Sequence, residues 1–538
     1  MKKTVTSFLS LTILAATSFA QAPIVSYQQS PDFGGADFIN HGVGLNGGEA
    51  QAFFVGSSDA TGTAGGYDVM VTEIDPNDGS VQWAKQYGSA GTDFGRRIHV
   101  DYANEALVVV GSTNGYATEG YNDFNVMQLD PAGNVNWSKS LGTDTTDAAF
   151  AVADANDGGY LIGGYTQPGQ RSSILLVKTQ ANGTVDWAKT IGSQWGNERM
   201  YDIRPLGSGE GYLIIGYTGL YGATWNEAAV FKISDTGDLE ATFTFGGPGS
   251  TDDDARKYIE GGYDTFFIAG NTRSFGAGAQ DMFLAKFSAS GGLPTLLWFK
   301  TYGGASQEEF TDAILLEDGL MLMMGHTTSF GAGGDNLLMA LDTASGNSML
   351  AYTYGGSDDE WLNAVVDADG IVLGGNSASF GSDSDGYFVK LGENGETSCN
   401  IASQNITAAT HTVSLSLATF GDFTSVATTL DNDITTTVAV NTMTSTANQL
   451  CLTTGITTVD NETSIQVYPV PSTDVLNVKV AENGTYFTRI YSVDGRLIMN
   501  DSFVGTTNQI NVSNLNTGIY FLEVTSENGT WTSRIIKN

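Results

Sequence analysis

An all-β chain folded as a seven-bladed β-propeller is the architecture the sequence predicts, and three observations predict it. An apolar-polar octet recurs as VQWAKQYG at Val81–Gly88, VNWSKSLG at Val135–Gly142 and VDWAKTIG at Val185–Gly192. Its closing glycine returns at Gly88, Gly142, Gly192, Gly246, Gly303 and Gly355, and a period of roughly fifty residues marks a propeller or a solenoid. Seven apolar runs ending in glycine, usually with Ser or Thr within two residues, extend from AFFVGSS at Gly56 to IVLGGNS at Gly375.

Each unit reads as four strands. The first follows the closing glycine, the second is the glycine-ended run, the third is a run such as DVMVTEID, ILLVKTQ or MFLAKFS, and the fourth is the octet. These runs are short, rich in β-formers and flanked by Gly, Asp and Asn, which is a strand signature. Four-stranded units repeated radially are propeller blades. The seventh unit, from Trp361 to Leu391, lacks an octet, whereas IVSYQQSPDFGG near the start matches the octet's register with Tyr27 at the Trp position. The ring is therefore expected to close through its N-terminal strand, which removes an open sheet edge. The octet becomes the outer strand of each blade, and Trp83, Trp137, Trp187 and Trp298 are expected to pack in a blade or between blades.

The opening MKKTVTSFLSLTILAATSFAQA has the charged start, apolar centre and small residues of a secretory leader, with cleavage expected after Ala20. That leaves a propeller over residues 21–398. No run is long and apolar enough to serve as a transmembrane segment. The chain has 538 residues with 68 Gly, 10 Pro and a 41 % hydrophobic share, which describes a packed, turn-rich protein of two or three domains. A formal charge of −36 opposes nucleic acid and anionic lipid as partners. Cys399 and Cys451 bracket a Thr/Ser-rich segment, and in an exported chain they read as a disulfide worth about 4 kcal/mol, the alternative being two free thiols. Residues 399–455 themselves read either as a small β module or as a stiff linker.

The repeat units resemble the bacterial β-propeller repeat of exported proteins over about residues 23–398. The fourth and sixth units depart from it, with LEATFTFG and MLAYTYGG where the Trp is missing. That resemblance implies an extracellular setting and carries no shared catalytic residues. VYPVPSTDVLNV at Val467–Val478, RIYSVDGRLI at Arg489–Ile498, GIYFLEV at Gly518–Val524 and the final SRIIKN resemble the type A C-terminal sorting domain of type IX secretion substrates, a small β-sandwich, over residues 463–538. Tyr468, Pro469, Pro471, Gly518 and Tyr520 carry that motif, and Val470 stands where the family usually has Asn. The resemblance implies outer-membrane export in a Bacteroidota-like bacterium, the type IX machinery as partner, and a secreted or surface-attached product.

Chemistry on the ring is sparse. His41, His99, His326 and His411 are not spaced as metal ligands, and no HExxH, GxSxG or Walker pattern occurs. Acids recur after the closing glycine at Asp93, Asp147, Asp252, Glu308 and Glu360, with Asn197 once. A feature of nearly every blade reads as a turn or cap. The alternative is a carboxylate ring binding calcium, with Asp252, Asp253 and Asp254 its best candidate. Calcium is the one cofactor left open.

Arg96, Arg97, Arg199 and Arg256 cluster in or just before first strands, which are innermost in propellers. They read either as local partners of acids or, at Arg97, Arg199 and Arg256, as guanidinium forks for an anion or uronate-like ligand. Trp195, Tyr221 and Trp225 in the fourth blade's loops, with Trp361 of the seventh, are expected as an aromatic platform for sugar or a partner protein, the alternative being loop packing. The function these features predict is a non-catalytic binding or adhesion module for polysaccharide or a surface protein. The alternatives are a polysaccharide hydrolase or lyase, which needs a close carboxylate pair or a Tyr/His/Arg constellation, and a structural envelope or matrix component.

Overall fold

β-Branched and aromatic residues separated by Gly, Asp and Asn turns make strands of most of the described residues. The computed structural model describes residues 24–537 except 46–49, 62–64, 117–120, 193–196, 208, 220–224, 248–250, 263, 290–293, 317–318, 332, 369, 381–382, 393–399, 405, 418–423, 431, 451–465, 469–471, 493–496, 517 and 527–528. The described residues hold strands, turns and bends without a helix, so none is long and apolar enough to cross a membrane. The expected leader 1–20 lies outside the described residues. The chain divides into two compact units between Cys451 and Leu452.

The first unit contains seven five-stranded sheets. In the first, Asp37–Leu45, Gln51–Ser58, Asp68–Ile74 and Val81–Gly88 pair in sequence order. The next five repeat this pattern, starting from Asp93–Asp101, Thr146–Asp154, Arg199–Gly207, Asp253–Glu260 and Glu308–Leu315. In the seventh, Glu360–Asp367, Ile371–Ser377 and Asp385–Gly392 are followed by the N-terminal strand Ile24–Asp32. Tyr27 pairs with Lys390 as Trp187 pairs with Lys178 and Trp298 with Lys286, so this strand sits in the octet's register. Each first strand packs against the first strand of the next sheet, and the seventh returns to the first.

Apolar faces of neighbouring sheets bury one another around this cycle. Leu161, Ile174 and Leu176 of the third sheet, for example, pack with Ile214, Phe231 and Ile233 of the fourth, each such side chain stabilising by about 1.5–3 kcal/mol. The octet aromatics reach across the same joints. A Cβ on Gly133, Gly183, Gly237 or Gly346 would strike Trp83, Trp137, Trp187 or Trp298 respectively, so each Trp lies over a turn glycine of the following sheet.

Two expectations change here. The octet is the fourth strand but not the outermost, and residues 401–449 form neither a separate module nor a linker. They run back around the cycle, adding a fifth strand to each sheet in reverse order. Ile401–Ser403 joins the sixth, Ala409–His411 the fifth, Ser414–Leu417 the fourth and Thr424–Ala427 the third. Asn432–Thr435 then joins the second, Ala439–Thr442 the first and Thr446–Gln449 the seventh. Strands of three or four residues have no independent stability, whereas each octet offers unpaired backbone groups that such a strand satisfies.

The second unit is described by itself. Strands Gln466–Tyr468, Val475–Ser492, Leu497–Asn511, Gly518–Ser526 and Gly529–Lys537 are hydrogen-bonded into one sheet, where a sandwich of two was expected. Its long strand makes this possible, pairing along one edge with residues 497–511, with a register break between Lys479 and Gly484, and along the other first with 466–468 and then with 520–525. Leu476, Val478, Ile490, Leu522 and Ile535 form its core.

Candidate functional site

All seven first strands carry a β-bulge, and all at the same place. The register skips Asn40, Arg96, Phe150, Tyr201, Arg256, Thr311 and Asn363 in the seven sheets. A bulge leaves one residue unpaired and bends the strand. The glycine-ended second strands allow the bend: a Cβ on Gly56, Gly216 or Gly375 would collide with the carbonyl of Phe38, Arg199 or Trp361 just before the bulge. The seven bulge residues line a single cavity of about 200 Å³ at the centre of the cycle, with His41, Arg97, Lys257, Glu309, Asp312 and Trp361 among its other walls.

The wall chemistry divides by sheet. Asn363 donates its side-chain amide to Ile39 O at 2.8 Å and Asn40 donates to Gly95 O at 2.7 Å. Arg96 lies over the Phe150 ring at 4.9 Å, Arg256 over Tyr201 at 4.3 Å, and Phe150 meets Tyr201 edge-on at 5.6 Å. Arg256 is ion-paired with Asp254 and stands 3.8 Å from Glu309. Residues just past the bulge pair with one another. Arg97 meets Asp202 at 2.7 Å and Lys257 meets Asp312, while Asp202 accepts Tyr258 N–H at 3.0 Å and Asp312 accepts Val365 N–H at 2.9 Å. Burial holds His41 well below its ordinary range, and the neighbouring Arg97 and Lys257 push the same way.

Of the three arginines expected as guanidinium forks, Arg97 and Arg256 line the cavity and both are ion-paired. Arg199 lies beside it, over the Tyr165 ring at 4.2 Å. Trp361 lines the cavity and stacks flat on His326 at 3.9 Å, while Trp225 is exposed. Trp195 and Tyr221 lie outside the described residues, as do Cys399, Cys451, Pro469 and Pro471. Tyr468 is exposed, Gly518 pairs with Lys537, and the Tyr520 hydroxyl donates to Asn516 O at 3.0 Å.

The three acids proposed for calcium point to three different partners. Asp252 accepts Asn226 N–H at 3.0 Å, Asp254 pairs with Arg256, and buried Asp253 accepts from Thr272 Oγ1 at 2.6 Å and Ser274 Oγ at 2.7 Å. Among the described residues, no three His, Cys, Asp or Glu side chains are grouped to hold a metal. The recurring acid is a cap: Glu308 and Glu360 each accept the N–H following the closing glycine, both at 2.7 Å. Its members in the fourth and fifth sheets are Glu198 and Asp253, one residue later than Asn197 and Asp252, and the first sheet supplies Asp37. Arg96 and Arg256 apart, the bulge residues Asn40, Phe150, Tyr201, Thr311 and Asn363 were missed for that reason. Each lies three positions after the true acid.

Residues 466–538 match the secretion system C-terminal sorting domain. The chain is similar to "Beta-agarase D" of Zobellia galactanivorans, 38 % identical over 65 residues, which is 12 % of this chain. It spans only about 13 % of that relative's length. Among solved structures it is similar to the V. cholerae biofilm matrix protein Bap1, with a TM-score of 0.19 and 10 % identity over 94 % of this chain and 86 % of that one. The type IX sorting domain marks a protein that engages the secretion machinery and is secreted or attached at the cell surface.

Proposed function

We propose that the cycle of sheets is a seven-bladed β-propeller, exported behind leader 1–20 in a Bacteroidota-like bacterium, that binds extracellular polysaccharide in its central cavity without cleaving it. The propeller spans residues 21–398 completed by the fifth strands of 401–449, and residues 463–538 serve sorting. The observation carrying this reading is the set of seven bulges, each delivering one partly exposed side chain to one cavity. Faces of Phe150, Tyr201 and Trp361 suit sugar rings, and Asn40, Thr311 and Asn363 supply hydroxyl-matching groups.

Cleavage would need two carboxyl groups roughly 5–10 Å apart, one of them able to hand over a proton. Asp254 and Glu309 both sit on Arg256, and Asp202 and Asp312 are engaged by Arg97, Lys257 and backbone amides. A Cys399–Cys451 bridge belongs to the same reading. Supporting it, Asn400 donates to Gln28 Oε1 and Leu450 N–H donates to Gln28 O, both at 3.1 Å, so the neighbours of both cysteines meet one residue.

The test is a glycan array with the full mature chain, read for retained protein and for newly released sugar ends. The expected result is retention without release, weakened at least tenfold by Tyr201→Ala or Trp361→Ala. New reducing or unsaturated ends overturn it in favour of a hydrolase or lyase.

A further inference from the structure

We infer that the feature of the ligand read by this cavity is an anionic group, a carboxylate or a sulfate ester, seated between Arg96 and Arg199. This rests on the polysaccharide reading above. The chain holds 59 acids against 23 bases, so a guanidinium drawn in from solvent without a carboxylate needs a cause; Arg171 and Arg273, which have no ion pair among the described residues either, are exposed. Arg97, Arg204 and Arg256 have acid partners. Arg96 and Arg199 have none within 4 Å among the described residues, and the Nε atoms of both are buried without a hydrogen-bond partner. Aromatic rings hold them instead. Arg96 lies on Phe150 and Arg199 on Tyr165, and those two rings stack at 5.9 Å.

Burial lowers the Arg96 pKa, and the like charge of Arg199 adds to the effect, against Tyr165 and Tyr201. Two neighbouring cations oriented by ring faces, with fork donors unspent, match a planar or tetrahedral oxyanion.

The full chain would be tested on agarose, polygalacturonate and carrageenan, and separately by thermal melting with inorganic sulfate. Expected are salt-sensitive retention on polygalacturonate or carrageenan, the stronger of the two naming the anion, and a sulfate-dependent rise in Tm. Both should weaken tenfold or more in Arg96→Gln and Arg199→Gln, only partly in Arg96→Lys, and not in Arg204→Gln. Retention on agarose unchanged by Arg96→Gln overturns the anion inference while leaving the cavity reading standing. Retention on no glycan, with sulfate still raising Tm only when both arginines are present, sinks the polysaccharide reading and keeps the anion site.

A second observation carries an independent proposal. At six of the seven joints the capping acid of one sheet meets the acid that starts the third strand of its neighbour, as in Asp37 with Asp385, Asp68 with Asp93, and Asp281 with Glu308. All of these six are at most 2 % exposed. A Cβ on Gly303 would run into both Asp281 and Glu308, and one on Gly355 into both Asp335 and Glu360. The third joint has Ser173 in place of one acid.

We propose that each of these three named pairs is a carboxylic acid sharing its proton with a carboxylate, so that the sheets on either side are clasped by protons. The groups reaching the pairs are hydroxyls and amides, such as Ser89 on Asp93 and Thr327 on Glu308. Other ionisable neighbours are Tyr67 and Asp32 by Asp37, Asp32 and Asp383 by Asp385, Tyr116 by Asp68 and Asp93, and His326 by Glu308, its pKa lowered mainly by burial. Among the described residues, no Lys or Arg side chain lies within 4 Å of the six acids named above. Two buried like charges cannot both ionise without one.

Burial first, then the neighbouring acid, raises Asp68 to about 7. Asp37 reaches about 7 and Asp385 about 6, burial again being the largest cause. Carboxyls raised in the folded state give stability that is full below about pH 4 and lost as pH rises towards 7. Tm should therefore fall between pH 4 and pH 8, and this fall should be reduced in Asp68→Asn/Asp281→Asn. Asp144→Asn/Asp367→Asn, which removes the same charge from exposed positions, should leave it unchanged. An equal fall in both double variants overturns the proposal. So does a calcium-dependent rise in Tm at pH 8 that Asp68→Asn/Asp281→Asn abolishes, which would make the pairs cation sites.

Discussion

The octet tryptophan is the residue at which one sheet is fitted to the next. Trp137 lies over Gly183, whose φ of +79° already favours glycine, and its Nε1 donates to Ala181 O at 3.0 Å. Position 183 thus answers to a turn and to a neighbouring ring at once. Trp137→Ala should destabilise the first unit by about 3 kcal/mol, seen as a lower midpoint of denaturant unfolding with an unchanged slope. Residue identity made part of the cavity legible, since Arg96, Arg97 and Arg256 break the repeat by charge. Phe150 and Tyr201 were not legible, because aromatic residues in a strand read equally well as core. What separates them is an offset of three from a buried acid, and Asn197 and Asp252, standing one place before Glu198 and Asp253, hide that offset in two sheets.

At the scale of elements, strands one to four were readable because each has its own apolar run and its own turn. The N-terminal strand was readable too, since Tyr27 keeps the octet pattern. The fifth strands were not. Thr/Ser alternation states that a segment is extended, while its partner is chosen by a free edge that lies far away in sequence. Ile24–Asp32 is held on both sides, by Asp385–Gly392 and by Thr446–Gln449. Deleting residues 24–32 removes the fourth of the seventh sheet's five strands and leaves a hydrogen-bonding edge exposed. The truncated chain should self-associate in sedimentation velocity runs where the full chain sediments as one species; a single unchanged species would show that the neighbouring sheets close the gap.

For the molecule as a whole, the reverse course of residues 401–449 governs when the fold can be completed. Strands one to four of each sheet are local in sequence and can form as the chain emerges. Thr446–Gln449, however, must find residues 29–32, a contact between nearly opposite ends of the unit, and closing so long a loop is slow. A chain still threaded through a membrane before residue 449 has passed lacks its last fifth strand and keeps the outer edge of the seventh sheet unpaired. Completion of the first unit therefore waits for its last residues, and the sorting unit begins only after the final fifth strand. The order in which the chain returns over its own sheets thus acts as a clock, with the native state of the first unit reached only when its last strand meets its first.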